Sequence, residues 1–202
     1  MNNKISLVIA AYKEDLSWLD NITNEDINIV IINKGDITDY PKAKVETIQN
    51  LGVCDHSFLY YISTNYNNLS DHTIFIQANP FDHFSGIVDF INNKEYLNGF
   101  FPLADKTIYI PPGEGTTLFV EGILNFKFKG VHFPSGAQYS VPKENILSKP
   151  KYFWDDLLNK LDWERDSFLP YFMERCWVFI YNPNAKININ YLETPYFAHN
   201  KK

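Results

Sequence analysis

Thr73-Ile74-Phe75-Ile76-Gln77-Ala78-Asn79-Pro80-Phe81-Asp82-His83 opens on residues suited to a buried strand and stops in amide, carboxylate and imidazole groups. Two other runs, Ile5 to Ala10 and Ile27 to Ile32, are apolar and largely β-branched apart from Ser6 and Asn28, and too short for helices. Strands without polar alternation are those buried on both faces, as in a parallel sheet. Phe58, Leu59, Ile62 and Tyr66 stand at helical spacing before the quoted strand, and Phe84, Ile87, Val88 and Ile91 continue that pattern after it. Leu16 and Leu19 allow at most two helical turns between the first two strands. The alternation of β and α predicts an open, doubly wound α/β sheet, whose ligands sit outside the carboxyl ends of the strands. Gln77 to His83 falls there.

Further along, Pro102, Pro111-Pro112-Gly113-Glu114-Gly115 and Pro134-Ser135-Gly136 punctuate strand-like pieces, Thr117 to Val120 and Ala137 to Val141. Ser148-Lys149-Pro150 reads as a helix start, with Phe153, Leu157, Leu158 and Leu161 on one face. The segment Tyr171 to Tyr181 is apolar over most of a helical surface, with Glu174 and Arg175 its only charges, and predicts a buried helix charged at one end.

The chain has 202 residues, 45% hydrophobic, 21% charged and 16% aromatic, with no internal repeat or linker, which suits one domain over residues 1–202 with a substantial core. A net charge of -6 argues against a surface that tracks a phosphate backbone, so nucleic acid is not an expected partner. Cys54 and Cys176 are too few for a disulfide framework. No stretch approaches the roughly 20 apolar residues of a membrane span, and the apolar run at the N-terminus is short for a signal peptide; a soluble, cytoplasmic protein without a transmembrane segment is expected. Asn33-Lys34-Gly35-Asp36 imitates a guanine-reading motif, but the chain lacks the Gly-rich phosphate loop that such a site requires. Its plainer reading is a turn at the carboxyl end of the second strand.

Tyr12 to Leu19, Gln77 to His83, Gly136 to Val141 and Glu174 to Trp177 together resemble an uncharacterised domain family of fungi, bacteria and large viruses that shares the plan of GT-A glycosyltransferases. The chain is also similar to the small glycosyltransferases with which large DNA viruses decorate capsid proteins. The resemblance runs from about Ser6 to Tyr181. It implies a single-domain GT-A fold, with a mixed, mostly parallel sheet flanked by helices. The implied activity is transfer of a sugar, as a hexosyl or deoxyhexosyl group, from a nucleotide sugar, a UDP-sugar in the first instance, to a glycan or glycoprotein acceptor.

The same resemblance distributes roles. Ala10, Ala11, Tyr12, Glu14, Asn33, Lys34, Gly35, His56, Gln77 and Ala78 are expected to bind the nucleotide sugar, Tyr12 packing on the base and Asn33 bonding it. GT-A enzymes hold a divalent cation, Mn²⁺ or Mg²⁺, on Asp-x-Asp; here the triplet is Gln77-Ala78-Asn79, whose amide oxygens are weaker ligands. Asn79, Asp82 and His199 are therefore the expected metal ligands. Glu174 and Asp82 are the expected catalytic residues. Glu174, desolvated by its apolar helix, is placed to take a proton from the acceptor hydroxyl. Gln138 and Arg175 are expected at the acceptor, and Asp155 and Asp156 stand next in line as bases. Val53-Cys54 replaces the Arg-Glu that the family places after the glycine.

Each role has a plainer competitor. Gln77 and Asn79 serve equally as caps for the segment that follows. Glu174 suits a structural ion pair, His199 a frayed terminus, and His56 and His83 a helix start or a core. With the Asp-x-Asp carboxylates missing, a nucleotide-sugar or glycan-binding module without turnover is the alternative function.

Overall fold

The computed structural model describes residues 5–111, 113, 115, 118, 121–122, 131–161 and 169–182. Both early apolar runs are strands, β1 (Ile5–Ala11) and β2 (Ile27–Asn33), and they pair in parallel with Leu7 opposite Ile29. The quoted stretch supplies β4 (His72–Gln77), which lies parallel on the other side of β1 with Leu7 opposite Ile74. An edge strand, β3 (Ala43–Thr47), extends the parallel set beyond β2. Next to β4 the direction reverses: β8 (Tyr139–Pro142) pairs with it antiparallel, and β5 (Phe101–Pro102) is antiparallel to β8. The sheet thus has six strands in the order β3-β2-β1-β4-β8-β5, mixed and mostly parallel. A separate ribbon joins β6 (Thr107–Ile110) to β7 (Val131–Pro134).

Because successive residues of a strand point to opposite faces, each strand feeds two cores. Ile5, Leu7 and Ile9 face Trp18, Leu19, Phe84, Phe90 and Ile91, which belong to a 3-10 turn at Ser17–Asn21 and to α2 (Ile87–Asn92) with its approach. Val8, Val30, Ile32 and Phe75 face the other way, onto α1 (Val53–Asn65), α4 (Lys151–Leu161) and α5 (Leu169–Tyr181). A short α3 (Lys143–Leu147) follows β8. On the α5 side the rings stack: Tyr181 lies 5.0 Å from Trp177, 5.9 Å from Trp154 and 5.8 Å from Phe75. Each such buried ring contributes roughly 1.5–3 kcal/mol relative to exposure. That stack sets the rotation of α5 and therefore the direction in which Glu174 projects.

Several expectations need correction. The helix over Leu16 and Leu19 is the 3-10 turn, and Tyr66 starts another at Tyr66–Asn68 rather than continuing α1. The strand expected from Ala137 begins at Tyr139, since Ala137 has φ 53° and leaves the extended region. Glu174 and Arg175 occupy the second turn of α5, not its end, because the helix starts at Leu169. The strand expected over 117–120 falls outside the described residues apart from Leu118, whose backbone is helical. Among the described residues, no helix is long and apolar enough to cross a membrane.

Candidate functional site

The carboxyl ends of β1, β2 and β4 open into a cleft of about 620 Å³, walled by α1 on one side and by α5 and the turn before β8 on the other. The strand order reverses between β1 and β4, since β2 and β3 follow to one side of β1 and β4 to the other. Such a switch point splays the following loops apart and leaves a crevice.

After β1, the carboxylate of Glu14 accepts the N–H groups of Tyr12 and Lys13 at 2.7 and 3.0 Å, and Asp15 accepts from the backbone and hydroxyl of Ser17 at 2.8 Å each. Those bonds fold the loop back, and Ala10, Ala11, Tyr12 and Glu14 all line the cleft. Beyond β2, the N–H of Lys34 donates to the Ala11 carbonyl at 2.8 Å, which turns the Lys34 side chain inward. Its ammonium donates to the carbonyls of Leu51 and Val53. Burial lowers its pKa to about 8, against the raising effect of Cys54 and Asp55.

Neighbouring Asn33 and Gly35 are not cleft groups. Asn33 is 1% exposed, and its amide bonds both backbone groups of Gly35 at 3.0 Å and the Thr47 hydroxyl at 3.3 Å. It holds the turn and is closed to a base. At Gly35 a Cβ would collide with the Tyr12 carbonyl, so glycine lets the two loops touch.

At the end of β4, Gln77, Ala78, Asn79, Asp82 and His83 line the cleft. The Gln77 amide donates to the Gly136 carbonyl at 2.7 Å, and the Asn79 amide donates to Asp82 at 2.8 Å. Gln138, expected at the acceptor, is fully buried: it accepts from the Gln77 N–H at 3.0 Å and donates to the Pro80 carbonyl at 3.2 Å. It stitches β4 to the neighbouring loops. Gly136, at φ 97°, takes a conformation that glycine favours, and its N–H donates to Glu174 at 2.6 Å.

Pro170, Tyr171 and Glu174 bring α5 to the rim. Arg175 points elsewhere, its guanidinium 4.7 Å from the centre of the Phe133 ring, bonded to the Tyr171 carbonyl and 3.4 Å from Glu174. It braces Glu174 and is not part of the cleft lining. His56 is buried in the first turn of α1 and is not part of the lining. Asp155 and Asp156 lie on α4 in pairs with Lys151 and Lys160, away from the cleft. His199 lies outside the described residues.

Among the described residues, no group of three or more His, Cys, Asp or Glu side chains is arranged to hold a metal ion. Asn79 and Asp82, bonded to each other, offer one carboxylate and one amide where a hard divalent cation takes about six oxygen ligands. A divalent cation held by this pair would take its remaining ligands from water and from a ligand's phosphate oxygens.

The sequence reading missed the α1 wall: Val53, Cys54, Asp55 and Ser57. Asp55 is 2% exposed and accepts the indole N–H of Trp177, with the Cys54 sulfur 3.8 Å from its other oxygen. Burial raises its pKa to about 7; the Trp177 bond opposes that shift and the charge of Glu174 adds to it. Burial, with Asp55 beside it, likewise holds the Cys54 thiol well above the usual range. An acid in the first turn of a helix gives no signal by itself, because its indole partner lies 122 residues away.

Residues 7–97 match the model of a family described as a protein of unknown function (DUF3431). The match runs from within β1 through β2 to β4, α1 and α2, and stops before β8 and the α5 that carries Glu174. A search of curated proteins finds no match.

Proposed function

We propose that the chain is a glycosyltransferase of the GT-A plan, moving a hexosyl or deoxyhexosyl group from a nucleotide sugar, a uridine diphosphate sugar, to a glycan or glycoprotein hydroxyl. The observation that carries this reading is the crevice at the β1/β4 switch point, where Tyr12, Lys34 and the β4 terminus meet Glu174 from a distant helix. An aromatic for the base, a cation for phosphate and a carboxylate for the acceptor are what a single-displacement transfer requires.

Tyr12 packs on the nucleobase at the β1 loop. Lys34 keeps one ammonium hydrogen beyond its two carbonyl partners and offers it to the diphosphate. Glu174 is oriented by the Gly136 N–H and by Arg175, and a carboxylate retains lone pairs beyond two such bonds. The acceptor oxygen forms its bond to the anomeric carbon while its proton passes to Glu174. The bond from that carbon to the diphosphate breaks, and the electron pair leaves on the phosphate oxygen. Lys34 meets the departing charge, and a divalent cation, if bound, would be held by Asn79 and Asp82 and would add to that neutralisation.

The test is a donor-hydrolysis and transfer screen across nucleotide sugars, with calorimetric titration of uridine diphosphate alongside. Glu174→Gln should lose about 10² to 10⁴ in rate while keeping nucleotide affinity. Failure of every uridine nucleotide to bind the folded protein defeats the reading. Binding without turnover of any donor favours a nucleotide-sugar-binding module, which the amide-for-carboxylate exchange at Gln77 and Asn79 supports.

A further inference from the structure

The cleft carries more acid than an anionic ligand tolerates: Glu14, Asp55, Asp82 and Glu174 line it, and Lys34 is the only lysine or arginine among the lining residues. Glu14 and Asp82 are exposed, and Glu174 is partly so, which lets water screen them. Asp55 is different. It sits in the wall under low dielectric, accepting from the Trp177 indole and from its own backbone N–H, with the weakly polar Cys54 thiol 3.8 Å from its second oxygen, so water does little to screen its charge from a bound anion. Lys34 reaches the same wall through Leu51 and Val53, the residues that lead into α1.

We propose that Lys34 and Asp55 form a proton-linked anion site, in which a diphosphate-bearing ligand binds with Lys34 charged and Asp55 protonated, so that binding takes up a proton. The inference rests on the diphosphate reading of the cleft. Trp177 on α5 bonds Asp55, Glu174 on α5 and Lys34 just beyond β2 act on it by charge, and Cys54, Cys176, Tyr139 and Tyr181 on α1, α5 and β8 feel the Asp55 charge in turn. Lys34 is the cation among them. Burial already brings Asp55 to about 7 and Lys34 to about 8, so the free protein is part-way through both titrations near neutral pH. A nearby negative charge raises both, because it favours the protonated form of each. By linkage, whatever pulls protons onto the pair is in turn bound more tightly where protons are plentiful.

The experiment is calorimetric titration of the full chain with uridine diphosphate and, in parallel, inorganic pyrophosphate, midway between those two pKa values and in two buffers of different ionisation enthalpy. Net proton uptake is expected with both ligands. Affinity should fall as pH rises through this range, by up to about tenfold per pH unit for each group. Asp55→Asn should cut the uptake and hold affinity on the alkaline side, and Lys34→Met should weaken binding wherever the lysine is charged. The Asp55 carboxyl carbon-13 shift in the unaltered protein gives an independent reading, and its titration midpoint should move up with pyrophosphate bound. Pyrophosphate binding with uptake but no uridine diphosphate binding keeps the anion site and defeats the nucleotide reading. Uridine diphosphate binding with no uptake keeps that reading and overturns the site. Uptake left unchanged by Asp55→Asn, or no binding of either ligand, also overturns it.

Discussion

Asp55 and His72 lie at opposite ends of the parallel strands, and burial drives both toward the neutral form. His72 opens β4 with its ring nitrogen 2.7 Å from the Ser140 hydroxyl and its ring centre 5.8 Å from that of Tyr96, and burial lowers its pKa to about 4. It fills its space and borders no cleft in the lining described above. Asp55 stands at the carboxyl end beside a cavity of about 620 Å³, in reach of a lysine and a second carboxylate. The two sites share desolvation and differ in the empty volume next to the group. Desolvation alone makes a core residue; the same desolvation beside an open crevice makes one that a ligand can address.

The contrast breaks most visibly in stability against pH. Asp55 in the unfolded chain titrates near 3.8 and in the folded protein at about 7, so between these values the native state holds the extra proton and stability falls as pH rises. Asp55→Asn, which still accepts from Trp177, should remove that decline, a difference on the order of 4 kcal/mol between pH below 3.8 and pH above 7. Denaturant midpoints across that range check it, and equal slopes in both proteins contradict it.

His72 runs the other way. Its unfolded value of 6.5 lies above its folded value of about 4, so the unfolded state holds more protons and stability drops as pH falls through that window. His72→Gln should remove on the order of 3 kcal/mol of acid sensitivity and leave phosphate-ligand affinity unchanged. A loss of binding in that variant would erase the distinction between the two ends of the sheet.

The smallest effect sharpens the same point with a like residue. Asp155 on α4 is bonded by Lys151 at 2.7 Å and by Ser63, and those bonds lower its pKa. Being solvent-screened, the pair is worth only about 0.3–0.5 kcal/mol. Asp155→Asn should lower the unfolding free energy read from denaturant titration by no more than that, and a larger loss would show that exposure does not separate it from Asp55.

The inner sheet was readable from sequence because β1, β2 and β4 are short, mostly apolar and β-rich runs, and the switch-point rule then locates the crevice without any contact information. Edge strand β3 escaped notice because Ala43-Lys44-Val45-Glu46-Thr47 is half exposed and carries charges, and the β6-β7 ribbon shares no sheet with the rest. Gln138 and Asn33 read as ligand groups because a polar side chain beside an apolar run looks functional. Their partners are backbone groups of Pro80 and Gly35, which only the folded chain brings near. Asp55 was hidden for the same reason in reverse, since its neighbours Lys34, Glu174 and Trp177 come from separate elements.

Gly35 lies so close to the Tyr12 carbonyl that no side chain fits between them. The loops after β1 and β2 consequently share one seam of backbone, and neither has slack of its own. A nucleobase that shifts Tyr12 must carry Gly35 with it and, through the amide of Asn33, tug on the edge strand at Thr47. Amide hydrogen exchange should therefore slow together on residues 11–13, 34–36 and 47–48 when uridine diphosphate is added, as one patch of chain stiffening in a single step.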